Sequence, residues 1–292
     1  MLSRIWTLTK VELYKLSRQK LFYIGLCLVL AVVALSVLTE KPAGDAKAPV
    51  NGFGPLVAGC LNGFRITAFL ILVIGGLLFA SETTFGTLKT ILIAPIRRSD
   101  LILAKVLSVI ITAITFTLLI EASALILSWA MYGFAAITDP TFPEMVHLSK
   151  ADMLIFTIYT FLHIVLPLIT IGLMGLFIST LVENSGIAVA ISIIIYLVLD
   201  FFMVGLFENL SSYLFNYYLN YYLATLKDIS EGVMQEIWKF KAIGQFLGVK
   251  QEDVGMIDAA RKFEVIKSLV IPVIYSIIFI ISSIIAVNRK NS

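Results

Sequence analysis

The chain has 292 residues, 59% of them hydrophobic and only 14% charged, with a mean hydropathy of +0.97. Soluble domains carry roughly 25% charged residues, so a water-soluble globular enzyme is excluded. The net charge of +3 says little as a total; the positions of Lys and Arg say more.

The apolar residues fall in long blocks separated by polar stretches, as expected of a chain dissolved mostly in lipid. At about 20 residues per helical span, the length allows six or seven crossings. Helix is the expected state, because an open strand would leave backbone groups unpaired in hydrocarbon. The predicted architecture is an all-α integral membrane protein with six spans, at about 21–38, 62–81, 101–134, 153–178, 186–207 and 268–287.

In chain order, residues 1–20 form an amphipathic interfacial helix. Leu2, Ile5, Trp6, Leu13 and Leu16 share one face and Arg4, Lys15 and Arg18 the other, a pattern that suits the membrane surface. The first apolar block begins only at Leu21 and reads as a retained anchor, not a cleavable signal. Cys27 and Cys60 are too few for a disulfide framework and are expected as buried thiols. Residues Thr39 to Pro55, rich in Gly, Pro and Ala, read as an exposed outer loop, with Arg65 reaching the outer surface. Gly59 with Gly63, and Gly172 with Gly175, read as close helix-packing sites.

The segment 82–100 is the most informative. Phe85, Leu88, Ile91 and Leu92 recur at three- and four-residue spacing among charged and polar residues. Such a stripe outside the hydrocarbon needs a protein partner or the bilayer surface to cover it. Pro95 should end the short helix, and Ser99 or Asp100 should cap the third span. In the later blocks Glu121, His163 and Asp200 are costly in lipid and are candidates for a substrate pathway or gate. Residues Ile137 to Asp152 read as a second outer loop. The outer segment 208–267 opens with six aromatic residues between Tyr213 and Tyr222. One or two helices lying on, or dipping into, the outer leaflet are expected there, as a lid.

Basic residues set the orientation. Arg4, Lys10, Lys15, Arg18 and Lys20, then Lys89, Arg97, Arg98 and Lys105, then Arg289 and Lys290 all fall on one side, leaving few in the short outer loops. Both termini are therefore expected in the cytoplasm, with the chain multi-pass in the cell membrane.

The run Glu82, Gly86, Thr87, Leu88, Lys89, Pro95, Arg97, Arg98, Ala104 and Lys105 resembles the membrane subunits of type-2 ATP-binding-cassette exporters. The N-terminal helix, the six expected spans and the short turn 179–185 extend the likeness over nearly the whole chain. The 60-residue outer segment departs from the family's usual short re-entrant hairpin. The resemblance implies a permease subunit, not itself an enzyme, that binds no cofactor or metal. Glu82, Phe85, Gly86, Thr87, Leu88, Lys89, Ile91 and Leu92 would form a coupling segment docked on a nucleotide-binding ATPase subunit, with Glu183 and Asn184 as a second contact. ATP and Mg would be bound by that partner, consistent with the lack of any Gly-x-x-x-x-Gly-Lys-Ser/Thr run here. Further implied partners are a second permease copy or a related permease, and membrane lipids, with no nucleic acid. The expected cargo is a hydrophobic or amphipathic peptide, antibiotic or lipid, with antibiotic resistance as one role. An ion-gradient-driven secondary transporter is the alternative, although it predicts inverted repeats and the sequence shows none.

Overall fold

Helix boundaries follow the apolar blocks but overrun them at both ends. The computed structural model describes residues 2–40, 51–84, 86, 97–135, 137–138, 146–206, 212–230 and 259–289. The described helices are α1 (Leu2–Ser17), α2 (Lys20–Thr39), α3 (Phe53–Thr84), α4 (Arg98–Tyr132), α5 (Lys150–Leu181), α6 (Ser185–Leu206), α7 (Phe215–Ser230) and α8 (Ala259–Arg289). Two short strands, β1 (Ile137–Thr138) and β2 (Val146–Leu148), pair antiparallel between α4 and α5. Five helices are long and apolar enough to cross a membrane: α2, α3, α4, the 162–181 part of α5 and the 266–289 part of α8. Helix α6 is apolar except for Ser185, Ser192 and Asp200, and its 185–201 part is a shorter apolar stretch.

The centre of the bundle is α3, which packs on α2, α4, α5, α6 and α7. Its glycines make this possible. A Cβ at Gly59 would meet Val37 of α2 and Ala124 of α4, and one at Gly63 would meet Val33 and Ile120. Farther along, a Cβ at Gly75 would collide with the Gly172 backbone carbonyl of α5, and one at Gly175 would come within 2.5 Å of the Leu72 carbonyl. The α3–α5 contact is thus backbone against backbone, the geometry that small residues allow where lipid supplies no hydrophobic drive. Helix α8 is held to α5 differently: the Thr170 hydroxyl lies 3.0 Å from the Pro272 carbonyl and 2.9 Å from Ser276 Oγ.

Several sequence expectations are corrected. Residues 51–55 are no exposed loop. Asn51 and Phe53 are buried, Asn51 Oδ1 accepts from Phe53 N–H at 3.1 Å, and α3 begins well before residue 62. Pro55 is tolerated there because the first turn of a helix has no intrahelical use for its N–H. Residues 41–50 lie outside the described set, as do 139–145 of the second expected loop. Cys60 is buried, but Cys27 is exposed on the outer face of α2. Neither Ser99 nor Asp100 caps α4. The N-cap is Arg97, with no side-chain cap bond, and Asp100 sits in the first turn, where its charge suits the helix dipole.

Residues 212–230, which hold α7, and 259–267, the start of α8, are the described parts of the expected outer segment, and α7 packs within the bundle. Phe215, Tyr218, Leu219 and Tyr222 are buried against α3, α5, α6 and α8. Residues 231–258 lie outside the described set.

Candidate functional site

The charged chemistry concentrates at the basic end of the bundle, where α1 crosses the ends of α3 and α4. Helix α1 buries Ile5, Thr9, Glu12 and Leu16, a stripe at three- and four-residue spacing, against α4. Trp6 stays exposed, as an interfacial residue should, and the part-exposed Lys15 side chain bends its ammonium toward the buried face. It turns inward, because Glu12 lies one turn away on the buried face and offers it a partner.

Four side chains close into a neutral quartet. Lys15 Nζ lies 2.8 Å from Glu12 Oε1 and 2.9 Å from Glu82 Oε1. Lys105 Nζ lies 3.0 Å from Glu12 Oε2 and 2.9 Å from Glu82 Oε1, and donates to the Leu78 carbonyl at 2.7 Å. An ammonium has three N–H donors and no acceptor, so Lys105, whose side chain is 0% exposed, uses all three. An isolated buried ammonium would be expelled or neutralised; here two carboxylates and a carbonyl replace its water. Burial alone would push the Glu12 carboxyl up. The Lys105 charge and the hydrogen bond from Lys15 outweigh that effect and hold it below its ordinary value. Burial also works against the Lys15 ammonium, but its hydrogen bonds to Glu12 and Glu82 raise it above the usual lysine range. The quartet fastens α1, α3 and α4 together beneath residue 82.

A second set of bonds joins the end of α3 to the turn between α5 and α6. The Thr83 hydroxyl lies 2.7 Å from the Glu183 carbonyl, and Thr84 Oγ1 lies 3.0 Å from the same oxygen. Ser185 N–H donates back to Thr84 Oγ1 at 3.0 Å. Asn184 caps α6, its Oδ1 accepting from Gly186 N–H at 2.9 Å and Ile187 N–H at 3.2 Å. Glu183 and Asn184 are both exposed on this tied turn. Gly86, at φ +70°, donates its N–H to the Thr83 carbonyl at 3.1 Å and terminates α3 with a left-handed residue. A Cβ there would meet nothing but would be strained by the dihedral itself.

Of the sequence-derived coupling residues, Glu82, Gly86, Glu183 and Asn184 therefore converge on one patch. Phe85, Thr87, Leu88, Lys89, Ile91 and Leu92 lie outside the described residues. Sequence reasoning missed Glu12, Thr83 and Thr84. The available signal for Glu12 was an acid on the apolar-adjacent edge of an otherwise basic interfacial helix.

The three intramembrane candidates do not form one site. Glu121 is partly buried on α4, within electrostatic reach of Cys60. His163 is buried on α5 with its ring 4.7 Å from that of Tyr222, whose hydroxyl donates to Ser268 Oγ at 2.6 Å. Asp200 on α6 accepts from Asn220 Nδ2 at 2.9 Å. His163 and Asp200 thus engage opposite edges of α7, and Glu121 stands apart. Among the described residues, no group of three or more His, Cys, Asp or Glu side chains is arranged to hold a metal.

Two comparisons bear on this arrangement. No curated protein matches the chain. The family model described as "ABC-2 family transporter protein" matches residues 8–199, about two thirds of the chain, from α1 through most of α6.

Proposed function

Since the chain belongs to the ABC-2 family of transporter proteins and is a multi-pass membrane protein, we propose that it is the permease subunit of an ATP-driven exporter. In this reading α6 completes six spans, both termini lie in the cytoplasm, and the segment 82–100 is the coupling segment. A separate ABC ATPase subunit binds ATP and Mg and docks on Phe85, Leu88, Ile91 and Leu92, with Glu183 as an outlying contact. A second copy of the chain, or a related permease, completes the pathway. The cargo is a hydrophobic or amphipathic molecule of the peptide, antibiotic or lipid class.

The observation that supports this best is the double fastening at residues 82–84. A push on the coupling segment meets α3 at its end. The quartet carries it to α1 and α4, and the Thr83 and Thr84 hydroxyls carry it to the start of α6. Charged groups held by several short bonds resist displacement, so the patch moves as a unit and does not absorb the force locally. The α3–α5 backbone seam then extends the motion to α5. Nothing in this chain needs to hydrolyse nucleotide; its task is to convert displacement at one end into opening at the other.

Single-cysteine labelling tests the reading. With Cys27 and Cys60 replaced, cysteines placed at Leu88 and Glu183 should react with a membrane-impermeant maleimide only in inside-out vesicles. Each should be protected when the cognate ABC ATPase subunit is co-expressed. A cysteine at Lys47 should react only from the outer face. Labelling of Leu88 from outside, or equal labelling with and without the ATPase, would overturn it.

A further inference from the structure

At the opposite end of the bundle a second polar group lies between α3, α6 and α7. The edge-to-face contact of Phe69 and Tyr196, with centroids 5.2 Å apart, fixes the register of α3 on α6. Arg65 lies one turn before Phe69 and Asp200 one turn after Tyr196. Because α3 and α6 run in opposite directions, both charges stand at the same level, one turn outward of that ring pair. Both act on Tyr196. Yet neither belongs to an ion pair within 4.0 Å among the described residues. The guanidinium is exposed and the carboxylate half-buried, with Oδ1 taken by Asn220 of α7. Asn216, one turn from Asn220 on the same edge of α7, is 1% exposed, and neither of its amide atoms has a partner.

The depth of this group is informative. Arg65 stands 17 residues from Glu82, or ~26 Å along the helix, which is close to the far boundary of a ~30 Å hydrocarbon layer. The neighbouring face of α6 exposes Ile194, Leu197, Val198 and Phe201, Phe201 by 80%. A cation, an anion held in place by Asn220 and an adjoining apolar strip match a molecule with a phosphate, an ammonium and acyl chains. We propose that Arg65, Asp200 and Asn220 hold the headgroup of a zwitterionic phospholipid of the outer leaflet, phosphate on Arg65 and ammonium on Asp200, with its chains along α6. The lipid then braces α7 between α3 and α6. This rests on the membrane placement of the chain and is independent of ATP-driven export.

Native mass spectrometry of the detergent-purified full chain, with phosphatidylethanolamine or phosphatidylglycerol added in turn, tests it. The wild type should retain phosphatidylethanolamine in preference to phosphatidylglycerol. Arg65→Gln, at an exposed position that packing does not need, should weaken retention of both lipids by about tenfold, the loss of one charge-assisted contact. Asp200→Asn should weaken only phosphatidylethanolamine and so reverse the preference. Soluble glycerophosphoethanolamine should fail to compete, since it lacks the chains. Equal retention of the two lipids by the wild type, or unchanged retention in Arg65→Gln, would overturn the proposal. So would effective competition by the soluble headgroup, and the Arg65→Gln result stands even if Asp200→Asn fails to fold.

Discussion

Replacing Lys105 with Met keeps the length and apolar stem of the side chain and removes the charge at the centre of the quartet. The Glu12 and Glu82 side chains are 5% and 8% exposed, so two buried carboxylates would be left to share Lys15, whose side chain is 42% exposed. The Leu78 carbonyl would also lose the Lys105 donor. Breaking a buried ion pair from one side costs about 3–5 kcal/mol, which is a hundredfold to several thousandfold in the folded-to-unfolded ratio. Equilibrium unfolding of the reconstituted protein in bicelles should therefore show Lys105→Met as one of the most destabilising single substitutions in the chain. The triple variant Lys105→Met, Glu12→Leu, Glu82→Met removes every charge that the first change strands. Such apolar replacement is often neutral or stabilising by about 1–4 kcal/mol, so stability should return. Stimulation of the proposed ATPase subunit should not return, because the bonded path from residue 82 to α1 and α4 is gone. A Lys105→Met protein within about 0.5 kcal/mol of wild type, the range of surface substitutions, would refute the buried quartet. A triple variant with full coupling would refute its mechanical role.

Other outcomes follow from the same geometry. Gly75→Ala sets a methyl against the Gly172 carbonyl and 3.0 Å from the Leu176 nitrogen, both backbone atoms. The two helices must separate, at about 1–3 kcal/mol, measured as a lowered unfolding midpoint. Asn184→Ala removes the cap of α6 and should cost about 1 kcal/mol, with faster amide exchange at Gly186 and Ile187. In pH titrations, the Glu12 carboxylate, held below its ordinary value, contributes stability in full above about pH 4.3. That contribution is lost as pH falls through the lowered value. The Lys15 ammonium, raised above its ordinary value, contributes in full below about pH 10.4, and its share disappears as pH rises through the raised value. The Glu12 and Lys15 contributions should thus be lost at opposite extremes of pH, and Glu12→Gln should shrink the loss on the acid side relative to wild type.

Apolar runs made the spans legible because lipid imposes one rule on every residue of a crossing: its backbone must pair within the helix. That rule locates α2, α4, α5 and α6 to within a few residues. It fails at the start of α3, where Pro55 and Gly59 carry turn-like chemistry but are buried, Gly59 against α2 and α4. Burial there is a tertiary effect, and composition does not report it. The coupling patch was legible in part. Glu82, Gly86 and Lys105 stand in a local motif, but their partners do not. Lys15 and Glu82 are separated by 67 residues, and Lys105 and Glu12 by 93. No pattern along the chain announces which charge meets which. Thr83 and Thr84 were passed over because a hydroxyl near a helix end ordinarily bonds its own helix. Each does so here too, to Ala80, while also reaching Glu183. The aromatics of α7 point to a helix lying on, or dipping into, the outer leaflet as a lid. Packing instead buries Tyr218, its hydroxyl bonded to the Ser212 carbonyl at 2.7 Å, and so removes the usual reason for a tyrosine to stay at the water boundary.

The central claim is that a separate motor grips the segment beyond Gly86. The direct test is to solubilise membranes from cells expressing an affinity-tagged chain together with the proposed ABC ATPase subunit, purify through the tag, and measure bound ATPase subunit and nucleotide hydrolysis. The wild type should bring the ATPase down stoichiometrically, and Leu88→Asp should lose it while retaining the wild-type unfolding midpoint. An ATPase that stays fully bound and fully stimulated with aspartate at position 88 would contradict the account.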